Sequence, residues 1–177
     1  MPNYRRNRIP GGCYFFTVNL LERHNNTLLV DHIDLLRQVV KQVYDRYYFH
    51  INGWVVLPEH MHFIWTLPKG DDDYAGRIRL IKMLFSKKLS KDERRSSVRI
   101  HKGERGIWQR RYWEHTIRNE RDYVQHMDYL HYNPVKHGYV NKVIDWPYST
   151  FRRLVCQGMY PECWGTEKTD IEVGKPR

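Results

Sequence analysis

Cysteine is scarce in this chain: Cys13, Cys156 and Cys163 are its only thiols. An odd count with no C-x-x-C spacing indicates neither a disulfide framework nor a zinc knuckle, and it suits a reducing compartment. Long apolar runs are missing as well. No stretch of about 18 apolar residues occurs, and the opening segment MPNYRRNRIPGG lacks the apolar core of a signal peptide, so membrane spanning and export are not expected. Internal repeats and low-complexity segments are also absent, which excludes solenoid and array architectures.

What remains is a chain of 177 residues, long enough to bury a sizeable core as one domain without covalent staples. Its formal charge of +10 is unevenly placed. Residues 77–111 hold 13 basic and 3 acidic side chains, while the rest of the chain balances at 17 of each sign. Such a cationic block gives salt-dependent, sequence-blind affinity for phosphates, so nucleic acid is the first candidate partner. A solvated basic helix or an anionic membrane surface are the alternatives.

Hydrophobic periodicity supplies the elements. CYFFTVNL, 13–20, is aromatic and β-branched and predicts a strand. Asp31 is a candidate cap for a helix over about 32–48, with Leu36, Val39, Val40, Val43 and Tyr47 on its apolar side. Phe49, Ile51, Val55 and Leu57 alternate around Gly53, and a tight connection at Pro58 and Glu59 leads into HMHFIWTL, which predicts two antiparallel strands. A helix follows with Ile78, Ile81, Phe85 and Leu89 inward and Arg77, Lys82 and Lys88 outward. Lys91 to Gly106 reads as a charged, mobile loop and 107–117 as a strand. A last helix is expected from Asn119, with Val124, Met127 and Leu130 on its apolar side and its end near Asn133, because Pro134 disfavours continuation. Helices alternating with mostly antiparallel strands predict an α+β fold of split βαβ type, one sheet covered by helices.

Two places carry candidate chemistry. In LPEHMHFIW, residues 57–65, side chains alternate with period 2, so His60 and His62 share a face with Ile64 and Thr66, while Met61, Phe63 and Trp65 share the other. A bare H-x-H is common and is often a pair of histidines without a ligand. Two imidazoles on one strand face are also able to grip a divalent ion. In YLHYNP, residues 129–134, Tyr129 and Asn133 stand at i and i+4 on one helix face, together with Asp122, Gln125 and His126 and opposite Val124 and Met127. That stripe is either an ordinary solvated surface or, coupled to the histidine strand, a phenol and a carboxamide oxygen beside a metal.

Taken together, YRRNRIPGGCYFFTVNL, LPEHMHF, WQRRYWEHTIRNERDY and YLHYNPVKHGYV resemble the REP-associated tyrosine transposases, a branch of the single-tyrosine HUH nucleases, over roughly residues 4–153. The resemblance implies a ferredoxin- or RRM-like HUH fold for residues 1–155, with 156–177 as a tail. It implies that His60 and His62 bind Mg²⁺ or Mn²⁺, that Asn133 is the third ligand where related enzymes often carry Gln, and that Tyr129 is the nucleophile. Tyr132 and Tyr123 are rival nucleophiles, less well phased with Asn133.

The implied activity is nicking and joining of single-stranded DNA at hairpins, through a covalent 5′-phosphotyrosine that frees a 3′-hydroxyl, in a bacterial, cytoplasmic enzyme that works as a monomer rather than a dimer. Tyr4, Arg5, Arg6 and Arg8 at the N-terminus, with Arg77, Lys82, Arg110 and Arg111, are the candidate DNA contacts, and Trp108, Tyr112 and Trp113 are candidates for base stacking. Glu114 and His115 are candidate partners of the metal ligands. The competing function is a module that binds hairpins and cuts nothing. A cupin-like oxygenase built on H-x-H would need many more strands than the sequence offers.

Overall fold

The computed structural model describes residues 6–91, 93 and 95–166. Strand β1 spans Cys13–Asn19, helix α1 Leu28–Asp31, α2 Ile33–Arg46, β2 His50–Val56, β3 His60–Thr66, α3 Tyr74–Lys88, α4 Ser97–His101, β4 Trp113–Thr116, α5 Glu120–Lys136 and α6 Phe151–Cys156. A 3₁₀ turn at Val143–Asp145 joins the last two helices. The four strands form one sheet in the order β2-β3-β1-β4, and every neighbouring pair is antiparallel. This is the split βαβ arrangement expected from the sequence, with β3 hydrogen-bonded between β1 and β2.

Alternation along the strands divides the interior in two. Tyr14, Phe16, Val18, Met61, Phe63 and Trp65 form one face and pack under α2 and α3. Phe15, Val55 and Ile64 form the other and meet Met127 and Leu130 of α5. Both faces of the sheet are therefore covered, and each hydrophobic strand residue is committed to one of two cores. His60 and His62 have the parity of Ile64, so they lie on the α5 face.

Several local expectations need correction. Asp31 does not cap α2; it ends α1 and accepts a hydrogen bond from Thr27 Oγ1 at 2.7 Å, while His32 precedes α2 without a side-chain cap. The charged segment after Lys91 is not a plain loop, because Ser96 caps α4 and Glu93 pairs with Arg105. The strand expected over 107–117 is regular only at Trp113–Thr116, with a single bridge from Trp108 to Leu20 before it. Val124, expected in the core, is 48% exposed. Helix α5 continues through Pro134 to Lys136. A proline in the last turn forfeits only one donor, and Gly138, at φ +75, then stops the helix. Part of the expected tail is packed: the rings of Tyr160 and Trp164 pack at a tilt against Phe151, and the Tyr160 hydroxyl donates to Asp128 Oδ1 at 2.6 Å.

Among the described residues no helix is long and apolar enough to cross a membrane.

Candidate active site

The register Thr17↔His62 and Asn19↔His60 across β1 and β3 sets both imidazoles beside the central strand. Helix α5 lies over this face. At about 100° per residue, Asp122, His126, Tyr129, Asn133 and Lys136 fall on one stripe, and that stripe faces the sheet. The passage through Pro134 matters here, since it carries Lys136 and His137 into the same space. Phe15, Thr17, Asn19, Arg23, His60, His62, Trp113, Tyr129, Lys136 and His137 line a cavity of about 550 Å³.

The two histidines meet edge to face, with ring centroids 4.9 Å apart. Each has one nitrogen fixed by a partner. His60 Nδ1 lies 2.9 Å from Glu59 Oε1, and Glu59 also accepts from Arg23 at 3.1 Å. Burial pushes the Glu59 carboxyl up, but hydrogen bonds and charge from His60 and Arg23 more than offset this and bring its pKa down to about 2. An ionised Glu59 accepts the Nδ1 proton of His60 and leaves Nε2 as a lone pair. His62 Nδ1 lies 2.9 Å from Thr17 Oγ1, while its Nε2 is buried and has no hydrogen-bond partner among the described residues. Burial first, then the neighbouring His60 and His137, hold the His62 imidazole well below its ordinary pKa against an opposing interaction with the nearby Asn133 amide, so the ring is neutral.

Asn133 is fully buried and shows the same incompleteness. Its Nδ2 donates to the Tyr129 carbonyl at 2.9 Å, and its Oδ1 has no partner among the described residues. Buried polar atoms are nearly always paired, so an orphaned imidazole nitrogen and an orphaned amide oxygen on facing elements mark a place where a ligand completes the structure. Imidazole nitrogens and an amide oxygen suit a divalent cation.

Tyr129 stands beside this group. Its ring centroid is 5.5 Å from that of His62 and 5.9 Å from that of Phe15, and Lys136 Nζ lies 5.0 Å from it on the ring face. The rival tyrosines are elsewhere. Tyr132 packs edge-on against Trp164, and Tyr123 lies near Asn52 and Cys13; neither lines the cavity.

The candidate DNA contacts are placed less uniformly. Tyr4 and Arg5 lie outside the described residues. Arg77 is a correction: it is 4% exposed, pairs with Asp71 at 2.5 Å and donates to the carbonyls of Tyr47 and Tyr48, so it locks α3 to the end of α2 and has no surface to offer. Lys82 donates to the carbonyls of Gln109 and Arg110, and burial lowers its pKa to about 8. Arg6 lies over the Tyr112 ring at 4.1 Å and pairs with Glu114. Arg110 pairs with Glu104 at 3.0 Å, Arg8 sits 3.9 Å from Asp72, and Arg111 is exposed. Much of the basic block is thus held by internal carbonyls and carboxylates. A second cavity, of about 470 Å³, is lined by Lys82, Lys87, Arg99, Arg105 and Arg110 with Trp108, and contains none of the imidazoles.

Glu114 is also a correction. It stands opposite Phe16, on the α2/α3 face, where the Tyr74 hydroxyl donates to it, and so does not touch the histidine pair. His115 is on the α5 face and pairs with Asp122. His115, Asp122 and His126 form a group with ligand atoms within 4.8 Å of one another, able to hold a metal ion. The residues that sequence reasoning passed over are Thr17, Glu59, Lys136 and His137. Glu59 and Lys136 were visible in principle, one next to His60 and the other seven positions beyond Tyr129.

With this geometry in place, comparison with known proteins is decisive. The chain is 48% identical over 175 residues to the REP-associated tyrosine transposase of Escherichia coli K12, covering 99% of this chain and 98% of that one. It belongs to the REP-associated tyrosine transposase family. A Haemophilus influenzae relative carrying the same family name is 47% identical over 93% of this chain and 94% of its own. A solved REP-associated tyrosine transposase bound to a REP hairpin superposes with a TM-score of 0.81 at 47% identity, covering 100% of this chain and 99% of that one. No protein-family model matches the chain. As a transposase the protein is an enzyme, and the α+β sheet architecture is that of the family.

Proposed function

We propose that this transposase cuts and rejoins single-stranded DNA at hairpin sequences through Tyr129, with His60, His62 and Asn133 as the ligands of a divalent ion. One observation carries the reading: the buried His62 Nε2 and Asn133 Oδ1, which have no hydrogen-bond partner among the described residues, belong to the elements that bring Tyr129 into the cavity. The solved relative bound to a REP hairpin supports a hairpin substrate.

The chemistry follows from the residues. A phenol is a weak nucleophile until it loses its proton, and the ordinary phenol pKa is near 10. The Lys136 ammonium, 5.0 Å from the Tyr129 ring, offsets the charge of an incoming phosphate. Tyr129 Oη attacks phosphorus, the bond from phosphorus to the 3′-oxygen breaks, and that oxygen takes up a proton. The products are a 5′-phosphotyrosine and a free 3′-hydroxyl, and attack by another 3′-hydroxyl reverses the step without external energy. Bound Mg²⁺ or Mn²⁺ supplies neutralisation of a non-bridging phosphate oxygen, hard oxygen donors favouring the first and paired imidazoles the second. Glu59 and Thr17 fix the two imidazoles so that each presents Nε2.

Tyr129 converges with His60 and His62 on one cavity of a single fold, and we assign the reaction to a monomer on that ground. Arg8, Arg110 and Arg111 reach solvent and are assigned to the DNA backbone. Trp113, on the cavity wall, is the aromatic assigned to stack a base.

The test is a labelled hairpin oligonucleotide incubated with Mn²⁺, Mg²⁺ or EDTA and run on a denaturing gel. A metal-dependent band of protein-linked DNA is expected, and Tyr129→Phe should lose it while still binding the hairpin. Binding without any adduct across several hairpins and both ions would make the chain a non-catalytic hairpin-binding module.

A further inference from the structure

On the far side of Phe15 from His62 lies a second group of metal-binding side chains, which the proposed chemistry leaves unused. The Phe15 ring is 5.3 Å from that of His62 and 5.0 Å from that of His126. In this group His115 Nε2 lies 2.9 Å from Asp122 Oδ2 and 3.0 Å from Oδ1, and His126 Nδ1, 2.9 Å from Asp122 Oδ1, donates to the Asp122 backbone carbonyl at 2.8 Å, which leaves His126 Nε2 as the nitrogen with a lone pair. The two imidazole rings are nearly parallel, 4.4 Å between centroids and 13° between planes.

The group is sheltered: the His115, Asp122 and His126 side chains are 20%, 17% and 6% exposed. His126, buried in the α5 stripe, has an Nε2 with no hydrogen-bond partner among the described residues. That is the same sign of incompleteness that marks His62 and Asn133. Asp122 also accepts from the Arg118 backbone N–H at 2.9 Å, which fixes its carboxylate on the first turn of α5.

We propose that His115, Asp122 and His126 form a second metal site, separate from the His60, His62 and Asn133 group, that takes a borderline transition-metal ion of the Zn²⁺ class. Two imidazoles and one carboxylate with a position left for water form the donor set preferred by such ions, and Mg²⁺ is disfavoured by it. The ligand atoms already lie within 4.8 Å of one another, so side-chain rotation suffices to close them on an ion. His115 comes from β4 and the other two from α5, so the ion staples the edge strand to the helix that carries Tyr129 one turn further on. The proposal does not depend on the nuclease reading, because it concerns a different set of ligands.

The test uses full-length protein in which His60→Ala and His62→Ala remove the first site. Titration with Co²⁺, followed by visible absorption and calorimetry, should show one bound equivalent that Zn²⁺ displaces. Adding His126→Ala should weaken that equivalent by about 100-fold or more, since loss of a mere supporting partner already costs about 10- to 100-fold. His115→Gln, at the more exposed ligand, is the second variant should His126→Ala fail to fold, and in the same His60→Ala, His62→Ala background it should abolish the rise in melting temperature caused by Zn²⁺. No bound equivalent in the His60, His62 variant, or an equivalent that survives both His126→Ala and His115→Gln, would overturn the proposal. Adduct formation on hairpin DNA has no bearing on either outcome.

Discussion

Glu59 Oε1 lies 2.9 Å from His60 Nδ1, and the same carboxylate accepts from Arg23. This contact commits His60 Nδ1 as the donor and leaves Nε2 as the nitrogen for a ligand. Glu59→Gln keeps the size of the side chain and removes the charge, so Mn²⁺ affinity is expected to fall by about 10- to 100-fold with little change in fold. Calorimetric Mn²⁺ titration of the two proteins measures it. Unchanged affinity would remove Glu59 from the site.

The same carboxylate ties stability to acid pH. Its pKa is lowered from 4.5 to about 2 on folding, so its contribution is present above about 4.5 and is lost as pH falls toward about 2. Urea denaturation at pH 6, 4 and 3 should show wild type losing stability over this window more steeply than Glu59→Gln. Equal slopes would mean that Glu59 is not held as a charged partner of His60 and Arg23.

Tyr132→Phe and Tyr123→Phe should leave the yield of protein-linked DNA within about twofold of wild type. Tyr132 faces Trp164, and Tyr123 sits near Asn52, so neither phenol reaches the cavity that holds the imidazoles. Loss of adduct in either variant, with Tyr129→Phe still active, would transfer the nucleophile to that residue.

The sequence made the central geometry legible because that geometry is local. His60 and His62 share a face by strand parity, and Tyr129 and Asn133 share one by helical spacing; both relations need only a few consecutive residues. Thr17 was invisible because its pairing with His62 spans 45 positions and depends on sheet register. Arg77 misled for a related reason. A cation at that helix position looks exposed until Asp71 and the Tyr47 and Tyr48 carbonyls are known to surround it. Pro134 misled in the opposite direction, since its cost in a final turn is small, and the extra residues of α5 supply Lys136 and place His137 just beyond the helix.

Gly53 sits where β2 passes under α5, at a register shift in its pairing with β3. A Cβ there would come within 2.7 Å of Met127 Sδ and 3.4 Å of Leu130 Cδ1. Met127 is flexible, so Gly53→Ala should fold, at a cost of about 1–3 kcal/mol from overpacking. The pushed helix is the one that carries Tyr129, so adduct formation should fall more than hairpin binding. Full stability together with full activity would show that α5 has room to spare over β2.

The segment after α6 tests where the domain ends. Tyr160 donates to Asp128, the residue before Tyr129, and its ring lies 5.6 Å from that of His131 and 4.9 Å from that of Trp164. Burial raises the Asp128 carboxyl pKa, with the Tyr160 hydrogen bond opposing it, so this contact offsets the cost of holding an acid against the helix. Tyr160→Phe removes only the hydrogen bond and should cost about 1 kcal/mol. Tyr160→Ala also removes the ring packed on Phe151, Trp164 and His131, and should cost about 3 kcal/mol. Chemical denaturation that ranks the proteins wild type, then Tyr160→Phe, then Tyr160→Ala would place residues 157–166 within the folded unit. Three coincident curves would return the boundary to residue 155, because an aromatic whose removal costs nothing is not holding the back of the helix that carries Tyr129.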